Sequence, residues 1–377
     1  MKRIGILILS TLLIIINLTS AVSAKTNGIK VSLDNIEDIM LEYSPDMKVA
    51  DNNLELAEEN YDDLVDKVED LEDSVKNLNN EIDKAPVLPD GTPSDSSQLK
   101  KELMDLKSTL KTLKESKNKA KYSLKVARIQ YDQNVKKAVF SAQQQYVAYL
   151  DTLAKKELKK NEVTSNKREI EANNMKYQKG FISKKVYESN LRDNTDIENS
   201  LEELVKTEET DLKNLYLLLG IPMKTQIIFN SDINIDLDKI SRIKFQDDVD
   251  EMLDNNTAIK TRKLELDEAE DLDNSDYTID NAEIYLKQEK NKSKLEFEKQ
   301  YNTLISSYNV IKTINSKLNE KQNDFGLTQI KYNYGFVSKK QTTDFEMELD
   351  KERTEFISGK NNLYVNYLRY LQMKEGY

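Results

Sequence analysis

Two serines, Ser183 and Ser338, each stand three residues after a glycine, Gly180 or Gly335, and just before a lysine pair, Lys184-Lys185 or Lys339-Lys340. The chemistry such a group offers is recognition by charge and hydrogen bonding, not bond making. The chain contains no His and no Cys, which removes a His base, a thiolate nucleophile, a His/Cys zinc site and a His-ligated haem. No GxxxxGK or GxGxxG phosphate-binding pattern is present, and no EF-hand spacing organises the acids for a cation. The expectation is a non-enzyme without a cofactor or resident metal.

These residues lie in a repeated decapeptide. KYQKGFISKK, Lys176 to Lys185, returns 155 positions later as KYNYGFVSKK, Lys331 to Lys340, with seven of ten positions identical. Tyr177 and Tyr332 belong to the same repeat. Each glycine suits the left-handed position that closes a helix, and each serine suits the N-cap of the next one. Gln341, three residues after Ser338, completes a capping box; Val186 at the matching place cannot. As local structure these are well-made turns. The lysine pairs fit that account less well, because they sit on the first turn of a helix, where the macrodipole disfavours cations by a few tenths of a kcal/mol each. A basic patch on an acidic chain points instead to an acidic docking partner. Both readings stand at this level.

The elements that hold the turns are long helices. Ser32 to Tyr43 has a short amphipathic pattern, and Ser44-Pro45 places an N-cap before a proline suited to the first helical turn. Tyr61, Leu64, Val68, Leu71, Val75, Leu78 and Ile82 then alternate in steps of three and four, a coiled-coil seam running toward Lys84. Ala85 to Ser97 holds Pro86, Pro89, Gly91 and Pro93 and is expected to be a loop. A second seam, Leu99, Leu103, Leu106, Leu110, Leu113, Ala120, Leu124, Ala127 and Tyr131, is broken only by Lys117. Nothing interrupts this helix before Lys179, so roughly 80 residues would span about 120 Å. The next helix runs from Ser183 to Leu219 and stops at Gly220-Ile221-Pro222. A short strand is expected at Thr225 to Phe229, followed by a loose connection from Ile233 to Phe245.

The plan then restarts. Asn256 to Lys260 aligns with Ser44 to Lys48 at an offset of 212, against 155 for the glycine turns, so the second copy is 57 residues shorter between these landmarks. That predicts about four heptads lost from each hairpin arm, a shortened loop near Asp271 to Asp280, a descending helix from about Asn281 to Tyr332 and a final helix to about Met373. Tyr364, Tyr367 and Tyr370 share a face of that helix and are expected to pack against its neighbours.

The whole chain has 377 residues, 38% hydrophobic and 33% charged, with 9 Gly and 5 Pro, a mix suited to long solvated helices. Lys2 and Arg3, the apolar run Ile4 to Leu18 and Val22-Ser23-Ala24 read as a secretory signal over 1–24, with a retained N-terminal anchor as the alternative. Removing it leaves 54 Lys and Arg against 67 Asp and Glu, which opposes nucleic-acid binding. The expected organisation is a first repeat over 25–230, with its long hairpin at about 54–135 and its turn at 180–183. A second, shortened repeat follows over 231–377, with its turn at 335–338.

Two copies of helix, hairpin, very long helix, Gly-x-x-Ser turn and returning helix resemble the TolC-like outer membrane efflux proteins. The resemblance is carried by Lys176-Tyr177, Gly180, Ser183, Lys331-Tyr332, Gly335, Ser338, Leu217 to Pro222 and Ser44-Pro45-Asp46, over nearly the whole mature chain. It implies an all-α, elongated fold, a homotrimeric tunnel, and an adaptor docked at the Gly-x-x-Ser turns alongside an inner-membrane pump. Two gate aspartates six and nine residues after the second glycine are also implied; here those places hold Gln341 and Asp344. The family's barrel strands would fall near Ala85 to Ser97 and Asp271 to Asp280, where no lipid-facing alternation of about ten residues occurs. The expected location is therefore the cell envelope, in the outer membrane by resemblance or in a wall without one. Two function classes follow: a transport conduit, or a secreted coiled-coil scaffold that keeps the fold without flux.

Overall fold

Heptad seams bury one stripe of each helix, so the helices pair before they do anything else. The computed structural model describes residues 28–84, 97–230, 233–272 and 274–377; the signal reading and most of the 85–97 loop lie outside them. Strand β1 (Ile29–Val31) leads to α1 (Ile36–Tyr43), α2 (Pro45–Asp83), α3 (Ser97–Gln178), α4 (Lys184–Leu219) and β2 (Ile227–Phe229). Then come α5 (Leu237–Ser241), α6 (Phe245–Asn255), α7 (Thr257–Asp271), α8 (Asp276–Asn333) and α9 (Lys339–Lys374). The fold is all-α apart from the two strands.

The two copies are matched in one direction and offset in the other. Helices α4 and α9 both have 36 residues. In the hairpins, α2 has 39 residues against 15 in α7, and α3 has 82 against 58 in α8. Each arm of the second hairpin is thus 24 residues shorter, not the 28 of four heptads. The rest of the 57-residue difference lies in the connections, 84–96 against 272–275. At 1.5 Å per residue the first hairpin projects about 36 Å past the second, and α3 is about 123 Å long. Helix α8 starts at Asp276, five residues before the expected Asn281.

Packing arranges the helices side by side. At the hairpin end the order is α2, α3, α7, α8; at the turn end it is α4, α3, α9, α8. Only α3 and α8 run through both levels. The array has open edges, α2 and α4 on one side and α8 on the other. Apolar side chains stand exposed along them: Val49, Leu56, Val205 and Leu217 on the first, Leu295, Val310 and Leu327 on the second.

Where the two levels meet, two apolar clusters fix the array. The first gathers Ile36, Met40, Tyr146, Leu215 and Leu219 around β1 and β2. These strands pair in parallel, Ile29 with Ile227 and Val31 with Phe229. The Tyr146 hydroxyl sits 2.5 Å from the Asn230 carbonyl and 3.1 Å from that of Val31, tying the long helix to both strand ends. The second cluster holds Ile240, Val249, Met252, Phe297, Leu304 and Tyr370, with the Tyr370 hydroxyl 2.5 Å from Asp248. Tyr364 packs on the first cluster and Tyr367 on the second, as their spacing predicts.

Gly220 and Gly376 close α4 and α9 at this level, with φ of 71° and 96°. A Cβ on Gly220 would lie 2.3 Å from the Tyr43 carbonyl, and one on Gly376 would lie 2.2 Å from that of Asn255. The end of α4 therefore abuts the start of α2, and the end of α9 abuts the start of α7, making two stacked struts. The caps of the upper helices differ. Asn256 accepts from the Ile259 N–H at 2.9 Å, as an N-cap should. Ser44 holds the expected position, but its buried hydroxyl makes no capping bond and has no partner among the described residues.

Candidate functional site at the helical turns

Both decapeptides form the same backbone turn. Gly180 and Gly335 adopt φ of 75° and 79°. The Gly180 N–H donates to Tyr177 O at 2.9 Å and the Phe181 N–H to Lys176 O at 2.8 Å; Gly335 and Phe336 repeat both bonds on Tyr332 and Lys331 at the same distances. This double bond from C′ and C″ is the Schellman motif, and glycine is required because φ is positive. Ser183 Oγ then accepts from the Val186 N–H at 3.3 Å, and Ser338 Oγ from the Gln341 N–H at 3.2 Å. Gln341 Oε1 returns an acceptor to the Ser338 N–H at 2.8 Å, so the expected capping box is present in the second turn alone.

The first turn has a different brace. Tyr177 stacks on Tyr187 with ring centroids 5.2 Å apart and planes 5° from parallel, clamping α3 to α4. The residue matching Tyr187 is Thr342, which bonds only to the Ser338 carbonyl at 3.2 Å, and Tyr332 is left 41% exposed. One brace is aromatic and the other polar, yet the backbone is the same.

The lysines divide unequally. Lys184 reaches Glu188 at 3.5 Å, and Lys340 reaches Glu169 at 3.2 Å and Asp344 at 3.5 Å. Lys185 and Lys339 have no ion-pair partner among the described residues. The Lys340–Glu169 pair joins α9 to α3, so the turns of the two copies lie at one end of the array. Between those helices runs a groove of 320 Å³ lined by Arg168, Glu169, Lys176, Lys339, Lys340 and Asp344. Gln341 is engaged in the cap, and Asp344 faces Lys340; the structure accounts for both as local contacts.

Sequence reasoning singled out Tyr177 and Tyr332 but passed over Phe181, Phe336 and Tyr334. In a Schellman motif the C″ residue usually folds back on the helix. Ile221, which follows Gly220, does so and is 3% exposed, whereas Phe181 and Phe336 are 76% and 79% exposed and Tyr334 is 75% exposed. The turns therefore leave three large aromatic rings open to water. Phe181 and Phe336 are identical between the repeats, and that signal was available. Among the described residues no acidic group is placed to hold a metal, and no helix is long and apolar enough to cross a membrane.

No family model matches the sequence, and no curated relative does either. Solved structures do match along nearly the full length. CusC, whose structures concern transmembrane channel formation, shares 14% identity over 93% of this chain and 97% of its own, with a TM-score of 0.58. The CmeC outer membrane channel of Campylobacter jejuni shares 11% over 91% of this chain and 85% of its own, at 0.56. The open MtrE outer membrane channel of Neisseria gonorrhoeae shares 10% over 91% and 89%, at 0.54. The fold is TolC-like. In TolC-like terms the stacked struts α4–α2 and α9–α7 flank the through-helices α3 and α8, and the Gly-x-x-Ser turns close one end. At such identities the likeness is one of fold, so what the turns do is argued from their own chemistry.

Proposed function

We propose that this chain is the subunit of an exported, TolC-like conduit, a homotrimeric helical tunnel that docks an acidic adaptor at its turns. The observation that carries this is the side-by-side array with two open edges. Exposed apolar side chains on α2 and α4 at one edge, and on α8 at the other, suit a head-to-tail contact, and a head-to-tail contact that closes makes a ring. A single array encloses nothing; a ring of them encloses a lumen. At the closed end, Lys184, Lys185, Lys339 and Lys340 with Phe181, Phe336 and Tyr334 offer the apolar-and-cationic surface an acidic helical adaptor would need. No nucleotide-binding pattern is present, so energy for transport comes from a partner pump in the inner membrane. The repeats divide at 230/231 on this reading, with 1–24 directing export to the envelope.

A second reading, a wall-spanning scaffold, is favoured by one observation. The first hairpin is helical to Asp83 and again from Ser97, and a barrel hairpin needs two strands of about 9–11 residues each. The 84–96 connection is too short for that, and 272–275 is shorter still. The conduit we propose therefore lacks a barrel of the usual kind.

Light scattering behind size exclusion, on residues 25–377 without detergent, separates the readings. An elongated trimer supports the conduit. A monomer at high concentration removes it and leaves the scaffold. Changing the four lysines to Glu is then expected to abolish adaptor capture while the trimer persists.

A further inference from the structure

Where the end of α4 abuts the start of α2, one large apolar side chain stands out from the joint. Leu215 and Leu219 are fully buried, while Leu217, about 200° round the helix from Leu215, is 66% exposed. It lies on the side of α4 turned from α3, at the open edge of the array. Its backbone is fixed by the helix cap, because the Gly220 N–H donates to the Leu217 carbonyl at 3.1 Å. Val49, in the first turns of α2, is 56% exposed on the same edge.

The opposite edge, α8, carries an open hollow of 690 Å³ lined by Leu295, Asn302, Thr303, Ser306 and Ser307, with Glu298 and Lys299 beside them. Leu295 is 68% exposed and stands about half a turn round α8 from the fully buried Leu304. The Thr303 hydroxyl donates to the Lys299 carbonyl at 2.9 Å and the Ser307 hydroxyl to the Thr303 carbonyl at 3.0 Å. Covering the hollow therefore strands neither donor. Contacts between antiparallel neighbours set the levels of the two edges. Lys156–Glu208 places Leu217 level with residue 147 of α3, and Asn161–Asp350 with Lys317–Glu352 carry that level to residue 305 of α8. Arg128–Glu58 places Val49 level with residue 137 of α3, which the same two contacts carry to residue 295 of α8. Leu217 thus stands at the height of Ser306, and Val49 at the height of Leu295.

We infer that the ring locks at this level, with Leu217 of one copy seated in the α8 hollow of the next and Val49 against Leu295. The occupant of the hollow is a second copy of this chain, so the inference rests on the ring proposed above and adds the place where its copies engage. Two features argue for that occupant. Both pairs match at a single offset, and the offset is zero, as rotation about an axis along the rods requires. Leu217 and the hollow also lie on opposite edges of one array, so a chain cannot fill its own hollow. Below the joint the outward charges of α4 pair along their own helix, Lys206 with Glu202 and Lys213 with Glu209, and exposed pairs add little. Leu217 is then the anchor of this edge, an apolar centre with charged residues round it.

The chain has no Cys, so introduced cysteines report contacts without background. In the mature chain, Leu217→Cys together with Ser306→Cys is expected to give disulfide-linked dimers and trimers on a non-reducing gel after mild oxidation. Leu217→Cys together with Thr313→Cys, on the same face about 10 Å further along α8, is expected to link at least tenfold less. Leu217→Glu alone is expected to weaken association at least tenfold by light scattering, with helix content by circular dichroism unchanged, because the side chain is exposed in the single chain. A trimer that fails to link at 306, or that Leu217→Glu leaves as tight, overturns the lock and leaves the ring standing. An unaltered chain that is a monomer at every concentration overturns the ring, and the lock with it.

Discussion

At the turn end, the two copies of the unit agree in helix length, backbone hydrogen bonds and positive-φ glycine; at the hairpin end, one copy has lost 24 residues from each arm. The braces at the turns also differ, a Tyr177–Tyr187 stack in one and a Ser338–Gln341 box in the other. Side-chain chemistry has thus been free to vary where backbone geometry has not. The lesson is that one backbone turn is reached with two different side-chain braces, because the positive-φ glycine and its paired carbonyls set the shape. Equal deletion from both arms has the same logic, because an antiparallel pair stays in register only when its arms shorten together.

That comparison can be broken first at the level where the struts meet. Gly220→Ala places a Cβ against the Tyr43 carbonyl and Ser44 Cα in a left-handed residue. With backbone on the other side of the clash, the expected cost is about 3 kcal/mol or more, read as a lowered midpoint in urea. Gly376→Ala meets a similar backbone wall at Asn255, so a loss of similar size is expected. Equal losses would show that the second strut is as constrained as the first.

The cores can be compared by alkali. Burial pushes the Tyr146 phenol up to about 12, and the hydrogen bond to Asp271 does the same for Tyr122. Tyr370 is raised by burial and by the Asp248 carboxylate. Unfolded tyrosine titrates near pH 10, so between pH 10 and 12 the unfolded state sheds protons the folded state keeps. Stability is full below pH 10 and falls as pH rises toward 12. Tyr146→Phe is expected to flatten that fall and to lower stability at pH 7, since the strand-end carbonyls lose their donor. A fall that stays as steep would assign the alkaline loss to the other raised phenols, Tyr122 and Tyr370 among them.

Smaller effects are expected at the turns. Gly180→Ala and Gly335→Ala find open space around the new methyl group. Their cost is the left-handed strain alone, about 1 kcal/mol each, and the two thermal shifts should be alike. Smallest are the caps. Gln341→Ala removes half of the box for roughly 0.5 kcal/mol, and Val186→Gln builds the missing half in the first copy for a similar gain. If Val186→Gln gives nothing, the Tyr177–Tyr187 stack already holds that turn as firmly as a cap can.

What the sequence made legible was local. Gly180, Gly335 and Gly220 marked helix ends correctly because a positive-φ closure is written in one residue. The seams on α2 and α3 were visible because a heptad repeats many times. Strand β1 was not expected, since Ile29 to Val31 is too short for a period and its partner lies almost 200 residues away. Helix α5 was read as loose connection; its cap, Asp236 accepting from Asp238 and Lys239, gives little warning in so short a segment. Gly376 escaped notice because its constraint comes from Asn255 and Asn256, which only folding brings near. At the turns the lysines stood out and the exposed phenylalanines did not, since composition does not tell a buried ring from an open one.

The length of α3 has a kinetic consequence. Its neighbours α2 and α4 come directly before and after it in the chain, so both hairpins built on it can zip by local contacts, as can α7, α8 and α9 among themselves. The joints between the halves are of another kind: Gln133 with Thr257, Asn161 with Asp350, Ser358 with Asp151 and Gln372 with the Lys136 carbonyl span about 120 to 240 residues. Each closes a long loop and brings its reward only after the halves are formed. Folding should therefore proceed as two quick zippers and one slow docking along a single rod. In the interval between them, the apolar flank of α3 that waits for α9 is the surface most exposed to a wrong partner.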